Sequence, residues 1–255
     1  MIKLPTTPSM RLDGRRALVT GASRGIGMGA AVALAEAGAH VVLAARSSAE
    51  LEQVVDAIRE RGGACEGVEV DVTDIERVTQ IIEDTAAFDI LVNNAGTNRP
   101  GPMQEMTPED FDAVMNLNVR AAYFVAKAVV KKMQIKGQGG SIINTSSQMG
   151  HVGGIDRTIY SASKHAIEGL TRALAIELGK YNIRVNTICP TFIRTPMTEK
   201  TFANPELVEW IQSKIKLGRI GEIEDIMGAF VFLASDAAAM MTGSSLMIDG
   251  GWTAG

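Results

Sequence analysis

Short apolar segments alternate with helix-like segments along almost the whole chain, and this alternation restricts the possible folds more than any other feature. Apolar strands are predicted over 16–21, 40–45, 67–72, 89–94, 140–147, 182–188 and 244–251. The segments between them place apolar residues three and four positions apart, as on one face of an α-helix. Strands joined through helices run parallel, because antiparallel neighbours need only a short turn. The sequence therefore predicts an α/β fold with a doubly wound parallel sheet.

Local signals predict where several helices begin and end. An Ala-rich helix is predicted over 27–38, and the segment Thr73–Glu76 has the pattern of a capping box at the start of another. The dipeptide Thr107-Pro108 predicts an N-cap followed by the first residue of a third helix. That helical pattern continues to about Lys136. Its length predicts a bend or break partway along it.

The composition argues against several classes of protein. Hydrophobic residues make up 46% of the chain, and the net charge of −4 is not concentrated in any block, which disfavours nucleic acid and anionic membranes as partners. The two cysteines, Cys65 and Cys189, match no metal-ligand spacing, so no metal site is predicted. The chain shows no apolar run of about 18 residues and no signal-peptide pattern, so we expect a cytoplasmic protein.

A glycine-rich segment, TGASRGIG, lies between the first predicted strand and the first predicted helix. Glycines at this point let the backbone approach a pyrophosphate, while the helix N-terminus offers N–H donors and a positive dipole end. The segment predicts a dinucleotide site of the Rossmann type. No linker or repeat divides the chain, so residues 1–255 are expected to form a single dinucleotide-binding domain. The predicted contacts of this segment are Gly21, Ser23, Arg24, Gly25, Ile26 and Gly27.

The end of the second predicted strand indicates which dinucleotide binds. Sheets that bind NAD usually carry Asp or Glu there to contact the ribose 2′-hydroxyl. This chain has Ala45 at that position, Arg46 beside it and Arg24 in the glycine-rich segment. Two guanidinium groups without a carboxylate suit a 2′-phosphate, which arginine can bind through two hydrogen bonds. We therefore predict NADP(H).

Tyr160 and Lys164 stand four residues apart, which places both on one face of a helix. A tyrosine hydroxyl with an ordinary pKa of about 10 exchanges its proton poorly at neutral pH. A nearby ammonium group would stabilise the tyrosinate and lower that pKa. The alternative is a packed tyrosine beside a solvent-facing lysine, and the pair alone does not decide between the two.

Motifs spread in order over residues 12–252 make the chain resemble the short-chain dehydrogenase/reductase family. They are TGASRGIG at 20–27, Asp71-Val72, NNAG at 93–96, Asn118, Ser147, the Tyr160–Lys164 pair 13 residues after Ser147, and MIDGG at 247–251. The resemblance implies that four positions are catalytic: Asn118, Ser147, Tyr160 and Lys164. It implies further cofactor contacts at Asp71, Val72, Asn94, Ala95, Gly96, Tyr160, Lys164, Pro190, Ile193 and Thr195.

The resemblance also implies a role for each catalytic position in hydride transfer between nicotinamide and a carbonyl or alcohol carbon. Tyr160 would be the general acid in reduction and the general base in oxidation. Ser147 would donate a hydrogen bond to the carbonyl oxygen. Lys164 would bind the nicotinamide ribose, and Asn118 would hold a water that links Lys164 to solvent.

One departure from the family follows the sixth predicted strand, where Thr191 stands after Pro190 in place of the usual glycine. A positive φ is costly for threonine, so extended backbone is expected there. The alternation lapses over about 191–217, which predicts a substrate-loop excursion over the active site. Residues predicted to line the substrate cleft are Asn98, Met103, Met149, His151 and Phe192.

These features favour an NADP-dependent oxidoreductase acting on a small ketone, sugar, aldonate or polyol. One alternative is a 3-oxoacyl-[acyl-carrier-protein] reductase, which would need a basic docking surface. The cluster Lys131, Lys132 and Lys136 is a candidate for such a surface, or else simply ends a helix. An alternative of another class is a non-catalytic dinucleotide-binding regulatory subunit. The resemblance implies a homotetramer, and the apolar segment 228–243 is a candidate interface.

Overall fold

The fold is built around one sheet of seven parallel strands. The computed structural model describes residues 2–255. The strands are β1 Arg16–Thr20, β2 His40–Ala45, β3 Cys65–Glu69, β4 Ile90–Asn93, β5 Gly140–Thr145, β6 Ile183–Pro190 and β7 Ser245–Ile248. Their order across the sheet is β3-β2-β1-β4-β5-β6-β7, and all neighbouring strands are parallel. This arrangement confirms the predicted doubly wound α/β fold.

Helices cover both faces of the sheet. They are α1 Gly25–Glu36, α2 Ser48–Glu60, α3 Ile75–Asp84, α4 Pro108–Met115, α5 Ala122–Lys136, α6 Thr158–Leu178, α7 Glu199–Phe202, α8 Pro205–Lys214 and α9 Glu224–Ala234. One face packs on α1, α2 and α9 through residues such as Leu34 and Phe230. The other face packs on α3, α5 and α6 around Ile82 and Val129. Because both faces are covered, most strands are apolar throughout.

The strand order reverses between β1 and β4, and this reversal determines where a ligand can bind. β2 and β3 lie on one side of β1, whereas β4 to β7 extend on the other. The connections that leave the carboxyl ends of β1 and β4 therefore diverge, and open α/β sheets bind their ligands in the crevice between such connections. The glycine-rich segment directly follows β1 at this point.

The predicted position of β3 is wrong by two to three residues at each end. β3 begins at Cys65, which pairs with Val41, and it ends at Glu69 rather than spanning 67–72. The strand lies at the edge of the sheet and has side chains that are only partly covered. Its apolar pattern is therefore weaker than that of the interior strands.

The predicted cap of α3 is also displaced. The N-cap is Asp74, whose carboxylate accepts a hydrogen bond from the Arg77 amide at 3.0 Å. Thr73, the predicted N-cap, instead donates its hydroxyl proton to Asp71 at 2.7 Å. Because the Thr73 hydroxyl bonds to Asp71, the helix is capped by Asp74 instead of Thr73.

The helical segment from Pro108 to Lys136 is interrupted where the sequence predicts a break. A π-helical segment, Asn116–Ala121, separates α4 from α5. Among residues 2–255, this is the one helical segment long and apolar enough to cross a membrane by those two criteria. Here one side of it packs into the core, and Asn93 of β4 donates to the Ala122 carbonyl oxygen at 3.0 Å. That packing is the ordinary environment of a core helix in this fold.

Beyond β6 the chain leaves the sheet and forms α7 and α8. Ile211, Ile215 and Ile220 build a small separate core in this region, against which Phe192 and Trp252 pack. The centroids of those two aromatic rings lie 5.7 Å apart. The region borders the central cleft through six residues: Thr191, Ile193, Thr195, Pro196, Met197 and Thr198.

Candidate active site

A cleft of about 720 Å³ opens at the carboxyl ends of the central strands. It is lined by every predicted cofactor residue except Gly27: Gly21, Ser23, Arg24, Gly25, Ile26, Arg46, Asp71, Val72, Asn94, Ala95, Gly96, Tyr160, Lys164, Pro190, Ile193 and Thr195. Ser147 lines the same cleft. The predicted phosphate-binding segment and three of the four predicted catalytic residues therefore meet in one place.

Gly27 supports the cleft without lining it. A Cβ atom at this position would lie 2.2 Å from the Gly21 carbonyl oxygen and 2.4 Å from Asn94 Nδ2. The first turn of α1 therefore needs glycine there in order to pack against the turn after β1. Gly21 and Gly25 have φ values of 65° and 58°, a left-handed backbone that glycine adopts without strain. α1 begins at Gly25, two residues before the predicted start, so the last three residues of the glycine-rich segment belong to the helix.

The start of α1 offers free N–H donors to the cleft. Its N-cap residue, Arg24, has extended backbone and makes no capping hydrogen bond with its side chain. The first amides of a helix have no partner within the helix, so they remain available to an anion. Thr145 and Thr191 also line this cleft, but their hydroxyls are buried and make no hydrogen bond among residues 2–255. The amides at the start of α1 fit the pyrophosphate of a dinucleotide.

Two exposed arginines supply positive charge at the outer end of the cleft. Arg46 directly follows β2, where Ala45 leaves out the acid of an NAD-binding sheet. Arg24 Nη1 lies 3.6 Å from Glu50 Oε1, and the Ser23 hydroxyl donates to Glu50 Oε2 at 3.1 Å. The two guanidinium groups fit a 2′-phosphate. Arg46 Nη1 lies 3.9 Å from Asp71 Oδ2. Each arginine therefore has a carboxylate beside it, and the expectation of a site without a carboxylate is wrong. Sequence reasoning missed Glu50 because it lies on α2, outside the glycine-rich segment.

The NNAG motif joins β1 to β4 beneath the cleft. Asn94 Nδ2 donates to the Thr20 carbonyl oxygen at 3.1 Å. The backbone amides of Asn94 and Ala95 both donate to the Thr20 hydroxyl, at 3.0 and 3.1 Å. Asn93 Nδ2 donates to Asn144 Oδ1 of β5 at 3.1 Å. These bonds fix the ends of three strands relative to one another, so the floor of the cleft is rigid.

Tyr160, Lys164 and Ser147 surround one corner of the cleft. α6 carries the first two one turn apart, with Lys164 Nζ 5.5 Å from the centroid of the Tyr160 ring. Lys164 Nζ donates to the Thr145 carbonyl oxygen at 2.8 Å. Ser147 follows β5, and its hydroxyl oxygen accepts from the Met149 amide at 3.1 Å. The hydroxyl proton of Ser147 is therefore available to donate into the cleft.

Burial dominates the ionisation of this corner. It raises the pKa of Tyr160 above the usual 10.0, although the Ser147 side chain and Arg157 act in the opposite direction. Burial also lowers the pKa of Lys164 from 10.5 to about 8. The expectation that Lys164 lowers the pKa of Tyr160 is therefore wrong for the protein by itself. Desolvation outweighs the attraction of an ammonium group whose hydrogen bond goes to Thr145.

Asn118 lies in the π-helical segment, and its side chain is bonded to other protein groups. Its Oδ1 accepts from the Thr97 amide at 2.8 Å. Its Nδ2 donates to the Thr97 carbonyl oxygen at 2.9 Å and to the Ser163 hydroxyl at 3.0 Å. Ser163 donates in turn to the Tyr160 carbonyl oxygen at 2.7 Å. The amide thus ties the π-helical segment to α6.

The residues that line the cleft include none of the five predicted substrate-lining residues: Asn98, Met103, Met149, His151 and Phe192. Phe192 packs in the small core beside Trp252, and His151 points toward Glu168 and Cys189. Met149 is buried and Met103 is exposed to solvent, while the side-chain oxygen of Asn98 is buried without a partner. Position after a strand places the main chain near the cleft, but loop conformation decides where the side chain points.

Other residues form the walls of the cleft near Tyr160. Sequence reasoning missed Thr97, Arg99, Ala113, Leu117, Thr145, Ser146 and Thr191 as lining residues. The position of Thr191 directly after β6 could have identified it as a lining residue. Its backbone lies outside the left-handed region, as predicted, and its amide donates to the Ile248 carbonyl oxygen at 3.2 Å. Threonine therefore replaces the family glycine in the wall of the cleft without straining the main chain.

Fold and cleft together define a dinucleotide-dependent oxidoreductase. The phosphate-binding turn lies at the switch point of the sheet, and a serine, a tyrosine and a lysine share its cleft. The chain belongs to the short-chain dehydrogenase/reductase family, and the family model described as enoyl-(acyl carrier protein) reductase matches residues 21–253. The resemblance inferred from the motifs is thereby confirmed.

Known relatives resemble the chain over nearly its whole length. It is 39% identical to L-xylulose reductase of Bos taurus over 248 residues, which cover 96% of this chain and 99% of the relative. It is 38% identical to gluconate 5-dehydrogenase of Gluconobacter oxydans over 246 residues, covering 95% and 96%. A solved gluconate 5-dehydrogenase from Burkholderia cenocepacia, in complex with NADP and tartrate, matches with a TM-score of 0.93 and 34% identity, covering 96% of this chain and 98% of that one.

Proposed function

We propose that the protein is an NADP(H)-dependent oxidoreductase that interconverts a carbonyl and an alcohol on a small polyhydroxylated substrate such as a sugar, aldonate or polyol. The observation that carries this proposal is the shared cleft, in which Ser147, Tyr160 and Lys164 face the phosphate-binding turn. The family relatives named for xylulose and gluconate support the substrate class. The solved relative with bound NADP supports the cofactor.

The chain's own residues would bind the cofactor along the length of the cleft. The N-terminus of α1 and its glycines would hold the pyrophosphate, and Arg24 and Arg46 would hold the 2′-phosphate. Asp71 and Val72 would lie beside the adenine, with Asn94, Ala95 and Gly96 below the cofactor. Pro190, Ile193 and Thr195 would lie beside the nicotinamide. Bound NADP(H) supplies or accepts the hydride.

Tyr160 would give a proton to the substrate oxygen in reduction and take one in oxidation. The Ser147 hydroxyl would donate to the same oxygen and fix the position of the carbonyl. Lys164 would bind the cofactor ribose, and its ammonium group would favour the tyrosinate once Tyr160 has lost its proton. Asn118 would be a positioning residue, since it reaches Tyr160 only through Ser163.

The polar walls of the cleft favour a hydroxylated substrate over an apolar ketone. Thr97, Ser146, Ser147 and Thr198 line the cleft. An apolar ketone would displace water from such groups without replacing its hydrogen bonds, at a cost of about 1–3 kcal/mol for each group left unpaired. Sugars and aldonates carry several hydroxyls that can pair with them.

A coupled screen tests this proposal. Oxidation of NADPH is measured with ketoses, keto-aldonates, simple ketones and an acetoacetyl thioester, and oxidation of polyols and aldonates is followed with NADP⁺. We expect the highest kcat/KM for a ketose, keto-aldonate or the corresponding alcohol. A preference for the thioester would reject the substrate class, and a preference for NADH over NADPH would reject the cofactor.

A carrier-protein reductase would need a basic docking surface, and the three lysines that were candidates for it are engaged within the protein. Lys131 pairs with Glu83 at 2.7 Å, and Lys132 donates to the main-chain oxygen of Glu83 at 2.7 Å. Lys136 pairs with Asp89 at 2.5 Å. These lysines link the end of α5 to the end of α3 and to the residue before β4. Their helix-terminal role accounts for the cluster, and no observation in the structure favours a docking patch.

We also propose a cytoplasmic homotetramer. Within the predicted interface segment, Phe230 and Leu233 are buried in the protein's own core, so they are not free to form contacts between subunits. β7 is an edge strand with partly exposed side chains, and Met240 is exposed nearby. Phe111, Tyr123 and Ile176 are exposed on α4, α5 and α6. These two surfaces are the candidate interfaces.

A further inference from the structure

Three side chains from distant parts of the sequence meet behind the cleft. They are His151 from the segment after β5, Glu168 of α6 and Cys189 of β6. His151 Nε2 lies 3.5 Å from Cys189 Sγ and 3.6 Å from Glu168 Oε2. Cys189 Sγ lies 3.3 Å from Glu168 Oε1. The two distances to Glu168 run to different oxygens of its carboxylate, so the carboxylate contacts both neighbours. With one ligand atom from each side chain, the three atoms lie within 4.8 Å of one another.

The spacing of these donors suits a zinc site. Zinc binds cysteine sulfur at about 2.3 Å and histidine nitrogen or carboxylate oxygen at about 2.0–2.2 Å, so neighbouring ligand atoms stand roughly 3.3–3.6 Å apart. The His151 Nε2–Cys189 Sγ separation of 3.5 Å falls in that range. Each of these two atoms also lies within 3.6 Å of one oxygen of the Glu168 carboxylate. A thiolate, an imidazole and a carboxylate form a ligand set that zinc accepts readily.

The charge of the cluster also calls for a cation. The Glu168 side chain is 2% exposed, and its one ion-pair partner within the described residues 2–255 is His151. Ser245 and Thr187 donate to its Oε2 at 2.6 and 3.2 Å, and the Lys164 ammonium attracts it without forming an ion pair. Buried carboxylates are normally paired with a cation or bound to a metal. A dication held by Glu168 and a Cys189 thiolate would be neutralised at the site.

A fourth polar group faces the same point. Ser146 is 2% exposed, so its hydroxyl is buried. This hydroxyl interacts with the Glu168 carboxylate and with the Cys189 thiol, and it lowers the pKa of both groups. It therefore lies beside the three donors. Such a group can bond to a ligand of the metal or to a water in its fourth position.

We propose that His151, Glu168 and Cys189 form a binding site for a divalent transition-metal ion of the zinc class. Binding forms one bond to each side chain and releases the thiol proton of Cys189 to solvent. Solvent reaches the site past His151, whose side chain is 30% exposed. The ion would join the ends of β5 and β6 to α6, directly behind Ser147 and Lys164.

Cobalt substitution gives a readout that does not depend on activity. The full-length chain, without an affinity tag, is stripped with a chelator in the presence of a non-thiol reductant and then titrated with CoCl₂ and ZnCl₂. We expect one ion per chain, a near-ultraviolet thiolate-to-cobalt charge-transfer band, and a rise in Tm on adding ZnCl₂. MgCl₂ should produce none of these changes, because magnesium prefers oxygen ligands.

Matched variants locate the ion. Cys189→Ala should remove the charge-transfer band, whereas Cys65→Ala, at the other cysteine of the chain, should keep it. His151→Gln should weaken zinc binding by more than about 100-fold, because even an outer partner of a ligand is worth about 10–100-fold. His165→Gln, at an exposed histidine on α6, should bind zinc as the wild type does.

Three outcomes would overturn the proposal: no band and no stoichiometric zinc in the wild type, a band that survives in Cys189→Ala, or unchanged zinc affinity in His151→Gln. Circular dichroism checks that each variant is folded. If Cys189→Ala does not fold, His151→Gln decides the matter, since its side chain reaches solvent and its loss leaves no cavity in the core.

Discussion

Lys164 is a charged side chain held almost out of contact with water, at 6% exposure. Its pKa falls to about 8 because burial penalises the ammonium form. In the unfolded chain the same group keeps its proton up to a pH of about 10.4. Between these values the unfolded state binds more protons, so the contribution of Lys164 to stability rises with pH and is least favourable below pH 8.

Lys164→Met should therefore stabilise the protein by about 1–2 kcal/mol at pH 7 while abolishing turnover. The gain should shrink as the pH rises from 8 to 10, because the wild-type lysine loses its charge in the folded state first. Urea unfolding at pH 7, 8.5 and 10 measures both trends. A stability difference that does not change with pH would contradict this account.

Tyr160→Phe tests the proton-transfer role at a single oxygen atom. The change should lower kcat about 10²–10⁴-fold, because general acid–base catalysis contributes about that factor. NADPH affinity, followed by fluorescence, should stay near the wild-type value. Tyr181→Phe, at an exposed tyrosine far from the cleft, serves as the control. Substantial turnover in Tyr160→Phe would assign the proton to another group.

Arg46→Ala tests the choice of cofactor. Loss of charged hydrogen bonds to a 2′-phosphate should raise KM for NADPH about 10–100-fold, from about 1.5–3 kcal/mol of lost interaction. KM for NADH should change little, since NADH has no phosphate there. Arg61→Ala, at an exposed arginine that pairs with Glu36, is the matched control. Equal effects on both cofactors would place the 2′-phosphate elsewhere.

At the scale of elements, α1 packs closely against the turn after β1. Gly27→Ala would press a Cβ into the Gly21 carbonyl oxygen and the Asn94 amide. We expect a loss of stability of about 1–3 kcal/mol, together with weakened NADPH binding. Gly228→Ala is the control, because a Cβ there meets nothing within 4 Å on α9 and should stabilise the helix by about 0.5–1 kcal/mol. Thermal unfolding of both variants gives the comparison; equal effects would contradict the steric argument.

Sequence reasoning succeeds for elements and residues whose roles depend on local geometry. The glycine turn, the cap at Thr107 and the break before α5 follow from backbone constraints that act within a few residues. It fails for loop side chains such as His151 and Phe192. Their directions depend on partners far away in sequence, Glu168 and Trp252. The edge position of β3 likewise depends on the assembled sheet.

At the scale of the whole molecule, the open β7 edge and the exposed apolar residues of α4 to α6 predict assembly. Size-exclusion chromatography with light scattering should give a mass near four times the 27.1 kDa of one chain. Met240→Glu, at a side chain that is 99% exposed in the single chain, should shift the species toward dimers or monomers. A monomeric wild type would contradict the proposed tetramer.

The close packing around Gly27 makes one end of the cleft much less tolerant of substitution than the other. Around Gly21, Gly27 and Asn94 there is no space for a larger side chain, so the pyrophosphate end is set when the chain folds, and binding there incurs little ordering entropy. At the other end, Arg24, Arg46 and Glu50 are exposed side chains that can be exchanged without disturbing the sheet. Cofactor preference can therefore change during evolution by substitutions at the outer end alone, while the phosphate cradle stays the same.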